Sequence, residues 1–184
     1  MKKSFGTKSW MFPQPVLVVA TYNDDGKPNA MTVAWAGQYS KNQVVLSLGD
    51  NKTTDNIRRN RAFTVGFATV GTLVSADYVG IVSGNDVPNK VEKSGFTVSK
   101  SSIVNAPIIN ELPLILECRF IKFNEDGNIV GEILNAAVDE SVLDNEGNVV
   151  PAKLNAIIFD PCNADYYKLG EKVGHAFRDG EKLK

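Results

Sequence analysis

The stretch that decides the fold is residues 16–38, which read VLVVATYNDDGKPNAMTVAWAGQ. Its first seven residues, 16–22, form a short segment rich in β-branched side chains, as in a buried strand. Residues 23–29 are dense in turn formers and predict a tight connection. A second strand is predicted over 30–38 and a third over 43–49. Links this short exclude crossover helices, so the pattern predicts an antiparallel meander.

The rest of the chain continues the pattern of short strands separated by turns. A helix is predicted over 53–60, with Thr or Asp at its start and basic residues at its end, and another over 72–83. The remaining predicted segments, in chain order, are strand 62–69, a polar stretch with a helical turn over 84–95, strand 114–123, turn 124–128, strand 129–138, turn 145–148 and strand 156–159. This spacing, without long helices, favours a mainly β barrel or sandwich with short helices.

Length and composition predict a single globular domain over residues 1–184. The chain is 43% hydrophobic and 22% charged, which are ordinary globular values. Residues 1–14 are expected to form an extended arm that packs on the body, and 160–184 a C-terminal tail. The 20 basic and 21 acidic residues leave a net charge of -1, which argues against nucleic acid as a partner.

The N-terminal sequence carries no signal peptide core and no span long enough for a membrane. Its longest apolar run, Val16 to Ala20, is too short for either, so we expect a soluble protein without a membrane partner. Cys118 and Cys162 lie far apart in sequence and are expected to be reduced thiols, which predicts a cytoplasmic location.

Common catalytic motifs are missing from the sequence. His175 is the only histidine, and with two distant cysteines it cannot supply a tetrahedral zinc site without carboxylates. No GxSxG elbow, GxGxxG fingerprint or Walker loop occurs. We therefore predict no metal site and no catalytic side chain, and a nucleotide would have to be held without a Rossmann domain.

The start of the predicted helix at 53–60 has the features of an anion site. A helix N-terminus carries free N–H groups and partial positive charge. Lys52 adds a full charge, and Thr53 and Thr54 add hydroxyl donors, which together suit a terminal phosphate. Asp55 competes for the same donors. The alternative is an ordinary capped helix beside a solvated lysine.

The predicted strand at 30–38 offers a place for a flat ligand. Strand alternation puts Ala30, Thr32 and Ala34 on one face and Met31, Val33 and Trp35 on the other. The small face leaves room for a planar ring near the backbone, beside Ser47 and Leu48 on the next strand. The alternative for Met31 and Trp35 is packing in the core or in a subunit interface.

Matching segments in chain order carry a family resemblance. They include QPVLVVAT at 14–21, DGKPNAMTVAW at 25–35, TTDNI at 53–57, VGEI at 130–133 and YYKLGE at 166–171. With these, the chain resembles the flavin reductase-like (FMN-binding split barrel) family, and most closely its flavoredoxin branch. The resemblance implies a six-stranded antiparallel Greek-key split barrel, a homodimer, and one FMN per subunit near the interface.

The resemblance also implies cofactor-binding residues. They are Asn29, Ala30, Met31, Thr32, Val33, Ser47, Leu48, Asn51, Lys52, Thr53, Thr54 and Lys90. The segment before Lys90 departs from the family pattern Ser-Gly-Arg-Asp-Val-Asp-Lys-Phe. Here Asn85 replaces the arginine, an insertion carries Pro88, and Val91 replaces the aromatic residue.

The implied function is that of an FMN-dependent oxidoreductase. It would take electrons from NAD(P)H or from a redox partner protein and pass them on through bound FMN, which supplies the chemistry. The alternative is a flavoredoxin-type electron carrier without a small-molecule substrate of its own. A third reading is a barrel without flavin, either an OB-like nucleic-acid module or a haem-binding relative; the charge balance argues against the first, and the second would have a single histidine ligand.

Overall fold

The computed structural model describes residues 1–184 and contains twelve strands and four α-helices. The strands are β1 (Gln14–Pro15), β2 (Leu17–Tyr22), β3 (Pro28–Val33), β4 (Ala36–Ser40), β5 (Gln43–Leu46), β6 (Ala62–Phe67), β7 (Val98–Lys100), β8 (Pro107–Ile109), β9 (Leu114–Phe123), β10 (Ile129–Val138), β11 (Ile157–Asp160) and β12 (Asp165–Lys168). The helices are α1 (Lys52–Asn60), α2 (Leu73–Ile81), α3 (Lys90–Lys93) and α4 (Pro151–Leu154). Short 3-10 helices cover Val70–Thr72, Glu140–Val142 and Asp179–Leu183.

The main sheet has seven antiparallel strands in the order β3-β2-β6-β9-β10-β5-β4. Its two edge strands, β3 and β4, are joined only by Ala34 and Trp35. Three residue steps span at most about 11 Å, so the two edges must approach each other. The sheet is therefore curled into a half-barrel, which confirms the mainly β split-barrel prediction, although the strand count is seven and not six.

Two hydrophobic clusters lie on opposite faces of this sheet. One lies under α2 and α3 and contains Val18, Ala30 and Val79. The other contains Val19, Val33, Phe63 and Ile57 of α1. Residues 17–20 of β2 alternate between the two clusters, which explains why this part of the strand is an unbroken apolar run. The predicted alternation of residues 30–33 is confirmed, because Ala30 and Val33 fall in different clusters.

The prediction of one strand over 30–38 is wrong. The chain leaves the sheet after Val33, turns with the Ala36 N–H donating to Ala34 O at 2.9 Å, and re-enters as β4 at the other edge. Residues 30–38 therefore belong to two different hairpins. β3 pairs with β2, and β4 pairs with β5. The sequence pattern does not change between β3 and β4, so it does not show where the chain crosses from one edge of the sheet to the other.

Several other elements match their predictions. Strands β9 and β10 have the predicted bounds, and α2 lies inside the predicted helix 72–83. The polar stretch 84–95, for which a helical turn is predicted, contains the short helix α3. β1 and β12 flank β11 in a small sheet, and β7 pairs with β8.

The two terminal segments expose most of their side chains. Residues 1–13 and 167–184 are exposed, although Phe12 contacts the ring of Tyr167 at a centroid distance of 6.5 Å. The side chains of the predicted arm are thus exposed, and its packing on the body stays a prediction apart from this ring contact. None of the helices has the length and apolar character needed to cross a membrane.

Candidate functional site

A cleft of about 240 Å³ lies between the start of α1 and the end of α2. It is lined by Met31, Asn51, Lys52, Thr53, Val79, Gly80, Ile81, Val82, Ser83, Gly84 and Lys90. Five of these, Met31, Asn51, Lys52, Thr53 and Lys90, are residues for which the sequence analysis predicted a role in binding. The cleft therefore joins segments that are up to about 60 residues apart in the chain.

The N-terminus of α1 is capped by Asn51, whereas the sequence pattern suggested Thr or Asp. Asn51 Oδ1 accepts hydrogen bonds from the N–H groups of Thr53 at 2.9 Å and Thr54 at 3.1 Å. Its Nδ2 donates to Leu48 O at 2.7 Å, which fixes the loop that precedes the helix. Asparagine is among the best N-cap residues for this reason. Two first-turn amides are thus satisfied by the protein itself.

The two threonine hydroxyls that were predicted as phosphate donors also have partners within the protein. Thr53 Oγ1 accepts a hydrogen bond from Asn29 Nδ2 at 2.8 Å, and both residues are buried. Thr54 Oγ1 donates to Gly49 O at 2.7 Å, and Thr54 does not line the cleft. Asn29 therefore lies directly behind the cleft wall and holds Thr53 in place. The cation at this end of the cleft is Lys52.

Lys52 is partly exposed and is paired with an aspartate in the β2–β3 turn. Its Nζ lies 3.5 Å from Asp24 Oδ1, and its side chain is 27% exposed. A backbone N–H and then the charge of Lys52 lower the pKa of Asp24, so this carboxylate is ionised at neutral pH. Exposed ion pairs of this kind are weak and exchange readily. An anion in the cleft can compete for Lys52.

Lys90 is a second cation in the cleft wall, and it is almost completely buried. The residue is 3% exposed, and its Nζ donates to Val79 O at 3.0 Å and to Val82 O at 2.7 Å. These carbonyls belong to the C-terminal turn of α2, where backbone acceptors lack helical partners. Burial lowers the pKa of Lys90 to about 8. No carboxylate forms an ion pair with it.

Gly84 closes the cleft against Asn29. A Cβ at this position would lie 2.4 Å from Asn29 Oδ1 and 3.4 Å from Lys52 Cγ. Only a residue without a side chain allows the Ser83–Gly84 backbone to pack this closely. The loop after α2 therefore sets the width of the cleft at its polar end.

An apolar groove of about 190 Å³ adjoins the cleft and shares Gly80 and Ile81 with it. It is lined by Val16, Thr32, Ala34, Asp77, Gly80, Ile81, Phe159 and Tyr166. Tyr166 Oη donates to Asp77 Oδ1 at 2.8 Å, across 89 positions of sequence. No sequence pattern pairs Asp77 with Tyr166, because the two residues lie 89 positions apart in the chain.

The remaining predicted binding residues do not line the cleft. Ala30 and Val33 are buried in the two hydrophobic clusters, and Thr32 lines the groove. Ser47 and Leu48 are half-buried just before the loop that Asn51 fixes. Contacts from these residues to a ligand remain predictions.

Comparison with known proteins places the chain among related sequences and folds. A family model described as the flavin reductase like domain matches residues 9–154. The flavoredoxin of Desulfovibrio vulgaris (Miyazaki F) has a TM-score of 0.94 and 34% identity, covering 98% of this chain and 100% of that one. The flavoredoxin of Methanosarcina acetivorans has a TM-score of 0.89 and 27% identity, with both chains fully covered.

A further solved structure shows the same fold at lower identity. It is an FMN-binding domain of a flavin reductases-like enzyme from Shewanella baltica, with a TM-score of 0.74 and 22% identity. The match covers 88% of this chain and 89% of that chain.

Proposed function

Because the chain belongs to the flavin reductase-like family, we propose that it binds FMN with the phosphate in the cleft and passes electrons through it. The observation that carries the proposal is the cleft wall, which contains the cations Lys52 and Lys90 and the first residues of α1. Phosphate is bound well by such groups beside a helix start. When bound, FMN would supply the redox chemistry, and the protein would supply position and electrostatics.

The edge strand β3 explains how residues with buried side chains could still contact the cofactor. In an edge strand, alternate residues direct their N–H and C=O groups away from the sheet. β3 is such a strand, and it runs past both the cleft and the groove. A flavin ring carries imide donors and acceptors that suit such backbone groups. Ala30 and Val33 are three positions apart, so one of them directs its backbone groups outward and the other toward β2. We therefore assign a backbone contact to only one of the two.

The phosphate role of Lys52 is tested by comparing FMN with riboflavin, which lacks the phosphate. We expect Lys52→Met to weaken FMN at least about tenfold, since one charge-assisted bond is lost. Riboflavin should change by less than about twofold. Lys41→Met, in the exposed β4–β5 turn, is the matched control and should alter neither ligand. Equal losses for FMN and riboflavin in the Lys52 variant would contradict a phosphate site here.

The electron donor distinguishes an enzyme from a carrier. We propose NAD(P)H as the donor in the first case and a redox partner protein in the second. The carrier is kept as the second candidate because the solved structures at 34% and 27% identity are flavoredoxins. Stopped-flow mixing of the FMN-loaded protein with NADH or NADPH decides between them. Bleaching of the flavin within seconds supports the reductase, and a persistent oxidised spectrum supports the carrier.

We also propose that the functional unit is a cytoplasmic homodimer. The arm and the tail expose large apolar side chains, among them Met11, Phe12 and Phe177, and Trp35 at the half-barrel edge is 58% exposed. Trp35 is therefore not a core residue, which leaves interface or ligand contact. Both cysteines are free thiols, as a reducing compartment requires. Loss of bound FMN on dilution would support a site completed by a second subunit, and a monomer that keeps its flavin would oppose it.

A further inference from the structure

The cleft continues past Lys52 into an open hollow of about 540 Å³. The cleft and the hollow share Lys52 and Gly84, so the lysine lies at the border between them. The other residues that line the hollow are Asn23, Asp24, Asp25, Asn85 and Pro88. A volume of this size lies within the range of small-molecule sites, about 300–1,000 Å³. Lack of space therefore does not limit a flavin bound in the cleft to a single phosphate group.

The charges in the hollow are unfavourable for a second phosphate. Lys52 is the only cation in its lining, whereas Asp24 and Asp25 are both present. The charge of Asp25 is offset locally, because Lys27 Nζ lies 3.3 Å from its carboxylate. Asp24 is paired only with cations of α1, since its Oδ1 lies 3.5 Å from Lys52 Nζ and 3.8 Å from Arg59 Nη1. The pairing of Asp24 thus depends on the lysine of the cleft itself.

The β2–β3 turn holds Asp24 beside the helix. The Asn23 N–H donates to Lys27 O at 2.8 Å and closes the turn. Asn23 Oδ1 accepts a hydrogen bond from Asn56 Nδ2 of α1 at 2.8 Å, and Asn56 is fully buried. The turn is therefore anchored to α1 by the residue that precedes Asp24. This anchor keeps the charge of Asp24 at the border of the hollow.

A phosphate bound at Lys52 would change this balance of charge. It competes with Asp24 for the lysine, because the exposed ion pair between the two side chains is weak. A group that extends beyond that phosphate then enters the hollow, where Asp24 and Asp25 are the charged residues left. A second phosphate there is a like charge beside Asp24, and such an arrangement disfavours binding.

We propose that Asp24 makes the cofactor site selective for a flavin monophosphate, FMN, over the diphosphate FAD. The inference rests on the proposed function, because it takes the FMN phosphate to bind at Lys52. The selectivity comes from charge repulsion in a hollow that has room for a larger ligand. Asp24 touches no reacting atom, so it is a specificity-determining residue of the cofactor site.

The substitution Asp24→Asn tests the proposal, because it removes the charge and keeps the size of the side chain. FMN and FAD are titrated separately into the full chain by isothermal titration calorimetry. We expect the wild type to bind FMN at least about fivefold more tightly than FAD, and this ratio to fall at least about threefold in Asp24→Asn. Asp126→Asn, an exposed aspartate in the β9–β10 turn, is the matched control and should keep the wild-type ratio.

The salt dependence of the same ratio separates repulsion from a merely structural role of Asp24. Added salt screens exposed charges, and the Debye length falls from about 8 Å at physiological ionic strength to about 3 Å at 1 M. The difference in the FAD-to-FMN ratio between wild type and Asp24→Asn should therefore shrink when NaCl is raised to about 1 M. A change in the shape of the site would persist at high salt.

Four results would overturn the proposal and leave the proposed function standing. They are equal affinity of the wild type for FMN and FAD, an unchanged ratio in folded Asp24→Asn, no FAD binding by that variant, and a difference between the two proteins that salt does not reduce. In each case the wild type still binds FMN more tightly than riboflavin. A wild type that binds riboflavin as tightly as FMN would contradict the proposed function and the inference together. Should Asp24→Asn fail to fold, Asp24→Ser takes its place, since serine also suits a turn.

Discussion

Lys90 should give the protein a stability that rises in alkaline solution, and Lys90→Met should remove that rise. The ammonium is buried against two carbonyl oxygens, those of Val79 and Val82, and no carboxylate forms an ion pair with it. An ammonium has three donors and a neutral amine has two. Loss of one proton therefore relieves a buried charge and still leaves a donor for each carbonyl.

The magnitude follows from the change in pKa. Burial lowers the pKa of Lys90 from 10.5 to about 8, whereas the unfolded chain keeps the ordinary value. Below pH 8 the lysine is charged in both states and the free energy of unfolding does not change with pH on its account. Between pH 8 and 10.5 the unfolded state holds more protons, so stability rises with pH. The full rise is about 3 kcal/mol, from about 2.5 pH units at 1.36 kcal/mol each.

The assay is urea unfolding of the wild type and of Lys90→Met at pH 7, 8, 9 and 10. Between pH 8 and 10, the free energy of unfolding should rise by about 2 kcal/mol more in the wild type than in the variant. Tyrosine titration affects both proteins alike and cancels in the difference. Lys93→Met, an exposed lysine of the same helix, should keep the wild-type dependence. Parallel curves for the wild type and Lys90→Met would refute the reasoning, as would a difference of opposite sign.

Three further substitutions or reagents test other parts of the structure. Gly84→Ala should weaken FMN at least about tenfold, because its Cβ would lie 2.4 Å from the asparagine oxygen behind the cleft; a flavin titration with unchanged affinity would contradict this. Gly131→Ala should lower the free energy of unfolding by about 1 to 3 kcal/mol, because its Cβ would lie 2.4 Å from Phe63 Cζ, and urea unfolding measures the loss. Cys162 should react with Ellman's reagent in the native protein while Cys118 does not, since Cys118 is buried and its pKa is raised to about 12; release of two equivalents of thiol from the folded chain would contradict this.

The strands were the most predictable part of the fold. The turn at 124–128 and the alternation on each side of it suffice to define β9 and β10, because a hairpin is a local structure. The passage from β3 to β4 was not predictable in the same way. Ala34 and Trp35 continue the alternation of their neighbours, and only the closure of the sheet shows that the chain changes edges there.

The sequence was enough to predict which segment of the chain forms the candidate site, but not which hydrogen bonds its residues make. The charge of Lys52 and the helix start were evident from sequence, but the cap proved to be Asn51. The buried position of Lys90 depends on carbonyl groups at the end of α2, which no pattern around Lys90 reports. The Asp77–Tyr166 hydrogen bond depends on tertiary packing in the same way.

Cofactor binding by the purified full-length protein tests the central claim most directly. FMN and riboflavin are titrated separately, with quenching of flavin fluorescence as the signal and denaturing release to count the bound cofactor. The account predicts one FMN per chain, held at least about tenfold more tightly than riboflavin because of the phosphate. A protein that leaves the fluorescence of both flavins unchanged, or that binds riboflavin as tightly as FMN, would contradict it.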